Sequence, residues 1–196
     1  MMVSEKTKIG LFFGSFNPIH NGHLMLANYL LEFTDLGEIW FVVSPRNPLK
    51  DKHSLLADYH RLEMVNRAIE GFDRFRSNDI EFKLPKPSYT IHTLTYLSEK
   101  FPSKDFVLIV GGDNLQTFNK WRNPEAILSQ YQLYVYARPG FEGGDFAQHH
   151  NVFIFDAPLL EVSSSFIRDA IKKGKDLRFF MPEKAYSYMD EMNFYK

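Results

Sequence analysis

Two histidines three residues apart, His20 and His23, stand in the stretch FFGSFNPIHNGH at residues 12–23. The apolar run ahead of them, residues 9–13, reads as a buried strand, and LMLANYLL at 24–31 reads as a helix. Gly14, a small hydroxyl at Ser15 and Pro18 fill the turn between. A strand that feeds a helix through such a turn makes a ready anion site. The first N–H groups of the helix lack internal partners, and its dipole is positive at that end. With a helix start near Ile19, the two imidazoles share one face and point at the anion. Zinc is the competing reading, but it needs a third ligand, and no further cluster of suitable residues stands nearby in the sequence. The P-loop and Rossmann glycine patterns are both absent.

A second helix start follows near the other end of the chain, where Ser163, Ser164 and Ser165 precede Phe166, Ile167 and Arg168. Alone, it reads as an N-cap with a surface arginine. Beside a first anion site on the same sheet edge, it could grip the far end of a polyphosphate. Both kinds of group are needed. A helix terminus contributes only about 0.3–1 kcal/mol at an exposed site. One full charge at contact is worth on the order of 4 kcal/mol at an effective dielectric of about 20. Gly111-Gly112-Asp113 after an apolar strand offers a carboxylate to a ribose or a magnesium ion, or else an N-cap aspartate in a turn. Trp121 is a stacking plate or a core residue. His53, His60, His92, His149 and His150 read as surface or packing residues.

The scaffold implied is an alternation of strands and helices. Near-continuous apolar runs at 38–43, 106–110, 132–137 and 152–155 read as parallel strands covered on both faces. Helical spacing marks 59–69, 90–101, 124–128, 166–172 and 182–192, and residues 78–84 read as a short strand. Residues 44–56, with prolines and basic side chains, form a loop of the kind that carries function. This is the pattern of a single doubly wound α/β domain over residues 1–196, which binds ligands at the carboxyl ends of its strands. Hydrophobic residues make up 44% of the 196, enough for a core. The net charge of −1 argues against general nucleic-acid binding. The absence of cysteine excludes disulfides, and no apolar stretch is long enough for a membrane span. A cytoplasmic protein is expected, and a homo-oligomer is compatible with the sequence.

The succession GSFNPIHNGH, GGD and SSSFIR resembles the nucleotidyltransferase superfamily with the H-x-G-H signature. PSYTIHTL, GGDNLQTFNKW, ARPG and LEVSSSFIRDAI are further similar to the bacterial nicotinate-nucleotide adenylyltransferases, and these blocks cover nearly the whole chain. The resemblance implies a Rossmann-like nucleotidyltransferase fold. It implies transfer of the adenylyl group of ATP, accompanied by magnesium, to nicotinate mononucleotide, with pyrophosphate leaving and no covalent intermediate. By position, His20 and His23 would hold the ATP phosphates and, with Arg168, stabilise the transition state. Gly14, Ser15 and Phe16 would line the junction of the two nucleotides. Ser164, Ser165 and Arg168 would grip the β,γ end, and Asp113 would face ribose or metal. Lys50 would approach phosphate from its loop. Thr90 and Trp121, with the backbone near Arg122, would enclose the pyridine ring and its carboxylate.

The chain departs from the family's usual pattern in several places. Phe13 and Ser15 stand where glycine and threonine are usual, Asn17 where aspartate is usual, Leu49 for a histidine and Ser165 for a threonine. The alternatives are an adenylyltransferase acting on nicotinamide mononucleotide or phosphopantetheine, a cytidylyltransferase, a non-catalytic nucleotide-binding module, or a flavodoxin-like electron carrier.

Overall fold

Alternate residues of the central strand serve opposite sides of one sheet. In β4 (Lys104–Gly111), Val107 and Ile109 enter one apolar cluster, while Phe106, Leu108 and Val110 enter another. That double burial is why the strand is written as an unbroken apolar run. The computed structural model describes residues 6–45, 55–138, 140, 144–158 and 160–196. Among the described residues, six strands pair in the order β3-β2-β1-β4-β5-β6, every neighbouring pair parallel. The others are β1 (Thr7–Gly14), β2 (Glu38–Val43), β3 (Phe75–Asn78), β5 (Gln132–Tyr136) and β6 (Val152–Phe155).

The first face of the sheet is covered by α1 (Asn21–Phe33), α2 (Asp58–Ile69), α7 (Ser164–Lys172) and α8 (Glu183–Glu191), through Leu30, Met64, Ile167 and Met189 among others. The second is covered by α3 (Ile80–Lys83), α4 (Thr90–Lys100), α5 (Gly112–Gln116) and α6 (Pro124–Gln130), through Ile80, Leu94, Leu115 and Ile127. Strand order reverses between β1 and β4, so the crevice of a doubly wound sheet opens beyond Gly14 and Gly111.

One element differs from the sequence expectation. The strand near residue 78 ends there instead of running to 84, and Ile80–Lys83 is a helical turn. The cause is local: the Asn78 side-chain oxygen accepts the Ile80 N–H at 2.9 Å, a turn that breaks the extended chain. Strand β3 itself, FRSN, buries only Phe75 and pairs on one side alone, so it lacks an apolar run. No helix of the described residues is long and apolar enough to cross a membrane.

Candidate active site

Helix α1 starts at Asn21, two residues later than near Ile19, and His20 is its N-cap. The two imidazoles still meet, stacked with ring centroids 3.7 Å apart. The His20 backbone N–H donates to His23 Nδ1 at 3.2 Å. An accepting Nδ1 puts the His23 proton on Nε2, so a neutral His23 remains a donor. His20 is 5% exposed, and its Nδ1 is buried without a hydrogen-bond partner among the described residues.

Burial, with Arg138 close by, lowers the His20 pKa from 6.5 to about 4. Burial, with His20 and then Arg138 beside it, holds His23 well below 6.5. The histidines are therefore neutral donors at pH 7 rather than the full charges that the magnitudes above ask for; Arg138 and Arg168 carry the permanent charge. The unfolded chain binds more protons than the folded one between about pH 4 and 6.5, so stability falls as pH drops through that window. From pH 7 to pH 5, His20 alone removes about 2 kcal/mol from the unliganded protein. Urea unfolding at the two pH values, with a His20→Asn variant showing a shallower drop, measures this.

The turn before His20 is held from several sides. Phe16 has φ of +44° and its ring lies over Gly14, where a Cβ would come within 2.8 Å of it. That ring is 2% exposed and packs among Phe12, Phe41 and His23. Phe16 therefore belongs to the core, and only its backbone is left to offer a nucleotide. Ser164 Oγ donates to the Pro18 carbonyl at 2.8 Å, and Arg168 Nη1 donates to the Asn17 carbonyl at 2.8 Å. The N-terminus of α7 is thereby bonded to the turn that opens α1. Ser163 is the N-cap of α7, accepting the Phe166 N–H, and Ser165 Oγ accepts from Arg168 Nη2 at 3.2 Å. A cleft of about 490 Å³ is lined by His20, His23, Arg138, Ser164 and Phe166 among others.

Asp113 sits inside the first turn of α5, whose N-cap is Gly111, so the N-cap reading of this aspartate is corrected. Its carboxylate lies 3.6 Å from Arg138 Nε and folds back over Gly111, where a Cβ would meet it at 2.4 Å. A side chain at Gly111 would require that carboxylate to swing away. Arg138 also donates to Tyr136 Oη at 3.0 Å.

On the other face of the sheet, Thr90 opens α4, and the Arg122 guanidinium lies 4.8 Å over the ring of Tyr89, the N-cap of that helix. The neighbouring Trp121 packs against Phe118 with tilted rings, centroids 5.1 Å apart. Thr90 and Arg122 are thus brought to one place, with Trp121 next in sequence. Lys50 and Leu49 lie outside the described residues.

Sequence reasoning passed over Tyr89, Tyr136, Arg138 and Arg61. Arg138 stands in the quoted ARPG block, the signal that could have found it. Arg61 is fully buried and donates to the carbonyls of Leu56, Ser15 and Ser44, and to Asp58 Oδ1 at 2.6 Å. Its spacing from Met64, Val65 and Ala68 already puts it on the buried face of α2.

Residues 11–170 match the cytidylyltransferase-like family. The chain is 52% identical over 191 residues to a protein of Christiangramia forsetii named "Probable nicotinate-nucleotide adenylyltransferase", covering 96% of this chain and 98% of that one. A relative of the same name from Bacteroides fragilis is 51% identical over 181 residues, covering 92% and 90%. Among solved structures, the nicotinic acid mononucleotide adenylyltransferase of Plasmodium falciparum complexed with NaAD has the same fold. It superposes with a TM-score of 0.79 at 20% identity, over 96% of this chain and 97% of that one.

Proposed function

The chain belongs to the nicotinate-nucleotide adenylyltransferase family, within the cytidylyltransferase-like group, and we propose on that premise that it transfers the adenylyl group of ATP to nicotinate mononucleotide. The products are deamido-NAD and pyrophosphate, a step of NAD biosynthesis. The observation that carries this reading is the tie between two helix starts: α7 is bonded to the turn of α1 through Ser164 and Arg168, with the stacked His20 and His23 alongside.

In this reading a phosphate oxygen of the mononucleotide attacks the α-phosphorus in line. The new P–O bond forms as the bond to the bridging oxygen breaks, and its electron pair leaves with pyrophosphate. A phosphate monoester has its second pKa at about 6, so the attacking oxygen is already deprotonated at pH 7 and no general base is required. Catalysis is positioning and charge stabilisation. His23 offers Nε2–H and His20 its cleft-facing edge to the phosphates. Ser164, Ser165 and Arg168 hold the β,γ end, and Gly14, Ser15 and the Phe16 backbone border the junction.

Magnesium enters as part of the substrate, on the ATP phosphates. Asp113, steered by Arg138, faces ribose or that metal. Thr90, Trp121 and Arg122 enclose the pyridine ring, and the Arg122 cation over Tyr89 favours the carboxylate of nicotinate over a carboxamide. Residues 1–196 act as one nucleotidyltransferase domain in this reading. A chain without cysteine fits a cytoplasmic setting.

The test is a pyrophosphate-release assay with ATP, magnesium and, side by side, nicotinate mononucleotide, nicotinamide mononucleotide and phosphopantetheine. Fastest release is expected with nicotinate mononucleotide. Release with phosphopantetheine alone would move the chain to another branch, and none with either mononucleotide would sink the reading.

A further inference from the structure

Helix α8 lies against α2, with the Arg67 guanidinium 4.3 Å over the Tyr188 ring and the Tyr188 hydroxyl 2.8 Å from His60 Nδ1. Two bonds close its end. Asn193, at φ +54°, donates its N–H to the Asp190 carbonyl, and Phe194 donates to the Met189 carbonyl, both at 3.0 Å. This is the paired closure that follows a left-handed residue after a helix. It turns the chain inward, so Phe194 seats its ring 4.6 Å from that of His60. Tyr195 then takes φ of +65°, a conformation uncommon for an aromatic residue and kept only where its surroundings over-determine it.

What determines it is the catalytic turn. The Tyr195 hydroxyl donates to Asn17 Oδ1 at 2.7 Å. Asn17 is 3% exposed, and the same oxygen accepts the Leu56 N–H at 3.2 Å. The backbone carbonyl of Asn17 is the acceptor for Arg168 Nη1. One residue therefore stands between the hydroxyl of Tyr195 and the guanidinium assigned above to the β,γ-phosphates. Burial pushes the phenol pKa up, with Arg168 and Arg61 pulling against it, so the hydroxyl stays a neutral donor.

We propose that Tyr195 is a positioning residue for ATP: by fixing Asn17 it fixes the carbonyl that orients Arg168. The proposal rests on the reading of Arg168 as a phosphate contact. Its test is Tyr195→Phe, which keeps the ring and removes only the hydroxyl. Calorimetric Kd for ATP with magnesium is expected to rise about five- to tenfold, the factor that one lost hydrogen bond gives. KM for ATP should rise with it, while KM for nicotinate mononucleotide stays within about twofold. In an Arg168→Ala background the same substitution should add no further loss, because the hydroxyl acts through the arginine.

An unchanged ATP Kd in Tyr195→Phe overturns the proposal. So does a parallel rise in both KM values, or an equal added loss in the Arg168→Ala background, since a merely structural hydroxyl gives those results. If the wild-type protein binds ATP yet releases no pyrophosphate, the reaction assigned above fails, and the Kd comparison still decides the role of Tyr195.

Discussion

The His20→Ala variant is expected to turn over about two to three orders of magnitude more slowly than the wild type, the loss that follows removal of one preorganised donor at a developing charge. The imidazole lines the cleft at the start of α1, stacked 3.7 Å from His23, where the proposed reaction would move charge from the attacked phosphorus to pyrophosphate. A polyphosphate beside His20 and His23 would act against the burial and the Arg138 charge that lower their pKa values.

The fold should change little. The substitution opens a small cavity, but it also removes a buried nitrogen without a partner among the described residues, and these two effects oppose one another. Single-turnover rates with saturating ATP, alongside a thermal melt, separate the two contributions. A rate within threefold of wild type would put His20 away from the reacting phosphorus.

Arg61→Met should cost about 3–5 kcal/mol of unfolding free energy, because three carbonyls lose their buried donor at about 1–3 kcal/mol each, while Asp58 is partly exposed. The guanidinium ties Ser15, after β1, to Ser44, after β2, and to Leu56 ahead of α2. Each of those carbonyls loses a donor, and methionine supplies none. Burial lowers the Arg61 pKa from its ordinary value while Asp58 raises it, yet the group keeps its proton across any usable pH. The clamp is therefore present at every pH at which the enzyme works. Urea denaturation gives the measurement; a change below about 1 kcal/mol would mean that relaxation or water replaces all three bonds. Activity should fall as well, because Ser15 begins the turn that carries His20.

The strand limits read from the apolar run at 38–43 coincide with β2, because a strand covered on both faces carries that run as its local code; the limits at 152–155 coincide with β6, but that edge strand exposes Phe153 and Ile154 and is not covered on both faces. Edge strand β3 has no such run and was placed too late. The histidine turn and the serine-led helix were legible for a similar reason: cap and turn chemistry is short in range. That the Phe16 ring is buried was not legible, because a residue in such a stretch carries no local mark of burial. Arg61 was passed over because arginine on a helix is ordinarily a surface residue.

The sequence by itself determined the alternation of strands and helices, the placing of both helix starts at strand ends, and the family resemblance. These depend on residues within one or two turns of each other. The tertiary structure alone decided the protonation of the histidines, because burial and the approach of Arg138 exist only once β5 lies beside β4 and β4 beside β1. It alone decided that Tyr195 meets Asn17, 178 positions away, and that Arg168 is aimed by a backbone carbonyl. Contacts of that range follow from how packed layers meet, which a local reading of residues does not contain.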